Sequence, residues 1–144
     1  MHITEATPPM RAEIIALLLS QQLPVEDLPL QLHDFFVAQE DGKVIGLIGM
    51  EHYGDYGLLR SMVVHPDFRN KQIAADLVQT LEQRAKAAGI KALYLLTETA
   101  AGYFSKKGFS TVQREAVPDA IKISSEFSHV CPVSATVMAK QFFS

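Results

Sequence analysis

The run Leu58 to Val64 is mostly apolar and partly β-branched, and it stops at His65-Pro66. Proline has no N–H to give to a ladder, so the run reads as a strand with a fixed end. Past it, Ile73, Leu77, Leu81, Ala85 and Ala88 recur at three- or four-residue steps, with Asp76, Gln79, Glu82, Gln83, Arg84 and Lys86 between them. That pattern describes an amphipathic helix, so strand hands over to helix across Asn70 to Ala74. A strand feeding an amphipathic helix so directly points to a layered α/β fold. The first turn of a helix carries N–H groups without internal partners and the positive end of its dipole, a setting that suits a phosphate. Arg69 and Lys71 add charge at that point, and the small Ala74 and Ala75 let the backbone come close to a ligand.

The rest of the chain supplies the layers. His2 to Ala6 alternates as a strand, and Pro8-Pro9 lead into a helix over Ala12 to Leu19, proline being tolerated near a helix start. Pro24, Glu26-Asp27 and Pro29 break that helix, and Val25 to His33 reads as a short second one. Phe35 to Gln39 and Lys43 to His52 are strands joined by Glu40-Asp41-Gly42, a hairpin signal. Tyr53-Gly54-Asp55-Tyr56-Gly57 makes the turn before the central strand, and Ala92 to Thr97 is a further strand. The order is β-α-α-β-β-β-α-β-α-β, with a helix over Ile121 to Val130 and a final strand near Thr136 to Phe142. Runs such as Val44 to Met50 are apolar on both faces, which suits a mixed central sheet of six to seven strands with helices on each side.

A chain of 144 residues with 48% hydrophobic and 20% charged content reads as one globular domain, residues 1–144, with a substantial core. The net charge of -3 and a pI near 5.9 give no electrostatic reason to expect nucleic acid or an acidic membrane as partner. The apolar stretches fall short of the ~20 residues that span a bilayer, and the N-terminus lacks a signal-peptide pattern, so a cytoplasmic location is expected. Cys131 is the only cysteine, which fits a reducing compartment. The histidines at 2, 33, 52, 65 and 129 show no metal-ligand spacing, and no metal is expected.

Arg69-Asn70-Lys71-Gln72-Ile73-Ala74 resembles the acetyl-CoA loop of the GNAT N-acetyltransferases, whose pattern is Arg or Gln, two residues, Gly, one residue, then Gly or Ala. Arg69 and Ala74 match, and Gln72 stands where glycine is usual; a glycine there allows close approach or a special backbone angle. Ala100 to Phe109 resembles the second half of the cofactor site, a short helix that Gly108 caps and from which Phe109 drops into the core. The resemblance implies a GNAT fold with a splay between two parallel central strands, where the pantetheine arm lies. Met62, Val63 and Val64 occupy the first of those strands, and Thr97 stands where the family often has an asparagine facing pantetheine. Arg69, Asn70, Lys71, Gln72, Ile73, Ala74 and Ala75 are thereby assigned to the diphosphate, with Phe104 and Lys106 as further cofactor contacts. In many members a tyrosine five residues before that Phe protonates the leaving sulfur. Here Phe104 holds the position, and Tyr103 comes one residue early, about 100° around the helix.

Later residues resemble the arsenic-resistance subgroup of the same family: Ala116-Val117-Pro118, Ala120-Ile121, Glu126-Phe127, Cys131-Pro132, Ser134-Ala135 and Met138, with Leu59-Arg60-Ser61 and Leu95-Leu96-Thr97 upstream. The implied chemistry is direct attack of an amine on acetyl-CoA, with the N–H groups of Val63 and Val64 stabilising the oxyanion. A thiol pKa of ~8.5 makes departure without a strong acid tolerable. Glu51 and His52 sit late on the strand before the central one, as a base or water relay or as plain surface residues, and Tyr103 is the acid candidate. Arg60 lies inside an apolar strand, which is costly unless it is paired. It either binds an anionic acceptor or bridges to a buried carboxylate such as Glu126. Glu126 is also assigned to the acceptor pocket.

The expected activity is acetyl-CoA-dependent N-acetylation of a small amino-acid-like amine, with an organoarsenical amino acid among the acceptors. Glutamate-type amino-acid N-acetylation is the alternative. A coenzyme-binding sensor or interaction module without turnover is the alternative of another class. A homodimer through the late strands is the partner expectation, with Phe142-Phe143 at the contact or simply in the core.

Overall fold

The computed structural model describes residues 1–69, 72–124 and 135–142. The chain falls into two compact units, Met1–Met50 with Arg60–Arg84, and Glu51–Leu59 with Ala85–Ser144. The first holds β1 (His2–Glu5), a 3₁₀ turn at Pro8–Met10, α1 (Arg11–Ser20), β2 (Phe35–Glu40), most of β3 (Lys43–Tyr53), the second half of β4 (Tyr56–Val64) and most of α2 (Ile73–Ala87). The second holds the remainder of β3, β4 and α2, followed by β5 (Ala92–Thr97), α3 (Ala101–Lys106), β6 (Ser110–Thr111), α4 (Asp119–Lys122) and β7 (Thr136–Gln141). Among the described residues, seven strands form one mixed sheet in the order β1-β2-β3-β4-β5-β7-β6. β1 and β3 each run antiparallel to β2, and β5 and β6 each run antiparallel to β7. β4 is parallel to β5 and pairs Tyr56, Gly57 and Leu58 with Ala92, Leu93 and Tyr94, while β4 continues to Val64 and β5 to Thr97.

In the first unit, α1 and α2 cover opposite faces of the sheet. Val37 pairs with Leu47 and Ala38 with Gly46 across β2 and β3, and neighbours along a strand point to opposite sides. Ile14, Leu17 and Leu18 of α1 share a buried cluster with Val37, Leu47, Phe35 and Val63. On the other side a side chain at Gly46 would stand 3.1 Å from Leu77 Cδ1 and 3.4 Å from Ile73 Cγ2 of α2. The missing Cβ therefore lets the first turns of α2 settle directly on β3. The two-residue turn between β2 and β3 uses Asp41 and Gly42 at φ 51° and 76°, the pair of left-handed residues that a tight hairpin with native twist requires.

The second unit has its own core, in which Leu58, Tyr94, Leu96, Val137 and Ala139 enclose Val117 and Ile121 of the α4 region. α3 ends in a two-bond cap: Phe109 N–H returns to the Phe104 carbonyl (3.0 Å) and Gly108 N–H to Ser105 (3.2 Å), with Gly108 at φ 95°. Phe109, 2% exposed, enters the core as expected. Phe142 donates its N–H to the Lys91 carbonyl (2.8 Å), and the Lys86 ammonium lies 5.3 Å from the centre of its ring. Phe143 lies outside the described residues. No helix among the described residues is long and apolar enough to cross a membrane.

Three expectations need correction. Val25 to His33 forms turns, not a second helix. Pro29 has no N–H for a helical bond, and the carbonyls a helix would use are taken by arginines: Arg11 reaches Leu28, Pro29 and Leu30, and Arg60 reaches Asp27. The late helix begins at Asp119 behind Pro118, two residues before the expected start, and ends at Lys122. Residues 125–130 of its expected span lie outside the described residues. Ala88, the last expected apolar position of α2, falls past the helix end and is exposed.

Phe35 pairs with Gly49 across β2 and β3, and any Cβ at Gly49 would overlap the buried Phe35 ring. Gly49→Ala should lower the unfolding free energy by roughly 1–3 kcal/mol in a denaturant titration, with little change in slope.

Candidate active site

The exit from β4 is tightly bonded. The N–H of His65 donates to the Ile45 carbonyl (2.7 Å), and His65 Nδ1 accepts from the Asp67 N–H (3.1 Å), capping a 3₁₀ turn at Pro66–Phe68. Arg69 comes next in extended conformation, with Nε donating to the Val64 carbonyl (3.3 Å) and Nη2 to Gln21 Oε1 (2.8 Å). Gln72 has φ 62°, and its carbonyl accepts the first helical bond of α2 from Asp76 N–H (3.1 Å). A residue with a side chain held at such an angle costs of order 1–3 kcal/mol, which glycine avoids. Of the two uses of glycine at this point, the backbone angle is thus present without the glycine. Ile73 is buried, and Ala74 and Ala75 are half-buried beside it. The N–H groups of these three residues head α2, where geometry gives them no acceptor within the helix. Asn70 and Lys71 lie outside the described residues.

Arg60 is 3% exposed, and among the described residues it pairs with the carboxylate of Asp27. Nη2 donates to Asp27 Oδ1 (2.9 Å) and Nη1 to Oδ2 (3.1 Å) in a two-pronged pair, and Nη1 also reaches the Asp27 carbonyl (3.2 Å). Nε donates to Ser61 Oγ (3.0 Å). Both charged side chains are almost fully enclosed, at 2% and 7% exposure, so removing either partner would leave a buried charge and cost about 3–5 kcal/mol. The guanidinium centre lies 6.0 Å from the centre of the Phe35 ring. Ser61 sits at φ 59° in the interior of β4, ahead of Met62, Val63 and Val64. Met62 and Val64 are half-buried, whereas Val63 points into the α1 core.

In the second unit, Glu51 is half-buried and accepts a hydrogen bond from the Tyr53 hydroxyl two residues on. His52 Nε2 donates to the Gly54 carbonyl (2.8 Å), which makes it a clasp on the β3–β4 turn. Thr97 Oγ1 accepts from Ala100 N–H (2.9 Å) and so fixes the chain leading into α3. Phe104 is buried, its ring 5.4 Å edge-to-face from both Tyr103 and Phe109. Tyr103 is half-buried with the Lys107 ammonium 5.5 Å from its ring centre. Lys106 is exposed in the last turn of α3. Glu126, Phe127 and Cys131 lie outside the described residues.

Sequence reasoning missed Asp27, Gln21 and the left-handed Ser61. A buried arginine announces that some carboxylate must answer it, but the chain has 16 acidic residues and spacing does not rank them. By its neighbours in sequence, Asp27 signals only a helix break.

The sequence pattern of the acetyltransferase (GNAT) domain matches residues 31–111. An amino-acid acetyltransferase of Pasteurella multocida (strain Pm70) is 28% identical over 96 residues, which are 65% of this chain and 22% of that protein. An uncharacterised N-acetyltransferase of Chlorobaculum tepidum is 33% identical over 98 residues, 67% of this chain and 63% of the other. Among solved structures, N-acetylglutamate synthase from Neisseria gonorrhoeae, complexed with coenzyme A and N-acetyl-glutamate, superimposes with a TM-score of 0.85 at 18% identity, covering 99% of this chain and 35% of that one. The chain thus spans only a fraction of the length of the amino-acid acetyltransferases it resembles, and its likeness to the solved synthase is one of fold.

Gln72→Gly should raise the unfolding free energy by roughly 0.5–1 kcal/mol, because the relieved backbone angle outweighs the added freedom of the unfolded chain. Denaturant titration of the two proteins side by side checks it.

Proposed function

The chain belongs to the GNAT acetyltransferase family, and from that membership we propose that it transfers the acetyl group of acetyl-CoA to the amine of a small, amino-acid-like acceptor. Residues 1–144 act as one acetyltransferase domain, since β3 and β4 each contribute to both compact units. The observation that carries the proposal is the opening of α2. There the left-handed Gln72 aims the chain into a helix whose first N–H groups, with Arg69 nearby, form an anion site of the kind a diphosphate fits. Ile73, Ala74 and Ala75 hold the diphosphate through their backbone, helped by Asn70 and Lys71. Thr97, Phe104 and Lys106 are the cofactor residues proposed in the second unit, and Met62, Val63 and Val64 those of β4.

The acceptor nitrogen attacks the thioester carbon, a C–N bond forms, and the carbonyl oxygen takes up negative charge next to the Val63 and Val64 N–H groups. Collapse breaks the C–S bond and releases the thiolate of coenzyme A. The ammonium proton passes to Glu51, directly or through water, and Tyr103 is the proposed proton source for the thiolate. An amino acid is supported as acceptor by the amino-acid acetyltransferases among the relatives, and one of the glutamate type by the fold shared with N-acetylglutamate synthase, whereas an organoarsenical amino acid is supported by the tail residues Val117, Ala135 and Met138. One observation favours a reading of another class, a coenzyme-binding module without turnover: Phe104 is locked against Phe109 and brings no hydroxyl to the family's acid position.

Mixed with acetyl-CoA, the protein should release free thiol faster with at least one member of a panel of glutamate, other α-amino acids and an organoarsenical amino acid than it does alone. Tight coenzyme binding with no acceptor-stimulated release would replace the transferase by the binding module. Arg69 is exposed, so Arg69→Ala should leave the melting temperature in place while weakening coenzyme A about tenfold in calorimetry, or about 1.4 kcal/mol.

A further inference from the structure

Four residues other than glycine have a left-handed backbone among the described residues: Gln22, Asp41, Ser61 and Gln72. Three stand where elements end or begin. Gln22 comes just after α1, with Leu23 N–H bonding back to Leu18; Asp41 is in the β2–β3 turn; Gln72 opens α2. Ser61 alone lies inside a strand, where a left-handed residue interrupts the pleat and redirects the chain beyond it. The residues so redirected are Met62, Val63 and Val64. The only bond described for the Ser61 side chain comes from Arg60 Nε, and the other end of that guanidinium is anchored by both carboxylate oxygens and the carbonyl of Asp27. Both side chains of the pair are almost fully enclosed, at 2% and 7% exposure.

We infer that Asp27 and Arg60 are positioning residues for the transferase reaction: through the bond from Arg60 Nε to Ser61 Oγ they hold Ser61 at its strained angle and so aim the N–H groups of Val63 and Val64 at the developing oxyanion. Arg60 is then spent on shaping the backbone and not on gripping the acceptor. The inference rests on the acetyl-transfer reading for its functional half, whereas its structural half stands without any substrate. A plain fastening of the 21–34 segment would affect stability only. A device that sets the Ser61 angle makes a sharper demand, since glycine adopts φ near 60° unaided and should make the device dispensable.

The test compares the wild-type protein with Asp27→Asn, Ser61→Ala, Ser61→Gly and the double variant Asp27→Asn/Ser61→Gly. Backbone amide shifts of Met62, Val63 and Val64 are read by NMR, and kcat, acceptor KM and coenzyme affinity are measured beside them. Asp27→Asn and Ser61→Ala should each move those three amides and lower kcat about tenfold, with coenzyme affinity within twofold of wild type. The double variant should return the amides and most of kcat. Unmoved amides in Ser61→Ala, or a double variant no better than Asp27→Asn, would overturn the inference and leave Asp27 as a fastening. Should Asp27→Asn fail to fold, the Ser61→Ala and Ser61→Gly pair decides: amides displaced in the first and native in the second support it, and any other pattern refutes it. A wild-type protein that turns over no acceptor defeats the acetyl-transfer reading, while the amide shifts still judge the pin.

Discussion

Gly46 carries no side chain, and the position of α2 depends on that. With Leu77 and Ile73 packed where a Cβ would nearly touch them, the helix lies close against β3, and its first turn is held at the end of the sheet where β4 gives out. A helix standing further off would point its free N–H groups elsewhere. That turn carries the positive end of the helix dipole behind the left-handed Gln72, with Arg69 three residues earlier in the chain. Packing on one face of a strand thus becomes electrostatics at the end of a helix.

The first unit also shows how an irregular segment is kept in one place without secondary structure. Between α1 and β2 the chain forms turns, and arginines from elsewhere in the unit fasten it, with Arg84 donating to the His33 carbonyl at its end. Arg11 binds three consecutive carbonyls, Arg60 binds Asp27 through a buried fork, and Arg69 holds Gln21 at the segment's start. Two of these differ sharply in cost. Arg69 is exposed and would give up an amide oxygen for a phosphate at little expense, whereas the Arg60 pair is sealed and would leave a bare charge behind. Breaking the Arg69 contact therefore costs little, whereas breaking the Arg60 pair exposes a buried charge.

Much of this frame was legible in the residues because it is built from local rules. Alternating or continuous apolar runs located β2, β3 and β5; Asp41-Gly42 located the hairpin; Gly108-Phe109 located the cap of α3. Each rule links residues only a few positions apart. The features that escaped depend on pairs distant in sequence. Val25 to His33 has the composition of a short helix, yet Arg11 and Arg60, far away in the chain, claim its carbonyls. Arg60 signalled either an anionic acceptor or a buried carboxylate, and a carboxylate it meets is that of Asp27, 33 positions upstream, while Glu126 lies outside the described residues. The angle at Ser61 has no local signature, since serine is common in strands and turns alike. At Gln72 the family pattern hinted at the angle, and the chain adopts it with a residue that pattern does not favour.

The central claim is that the amides opening α2 hold the diphosphate of the coenzyme. Titration of isotope-labelled protein with coenzyme A, monitored at the amide signals of Ile73, Ala74 and Ala75, addresses it most directly. Saturable shifts at all three, reproduced by the adenosine diphosphate moiety alone, are the expected result. Saturation seen only at other residues, with these three signals unmoved, would contradict it.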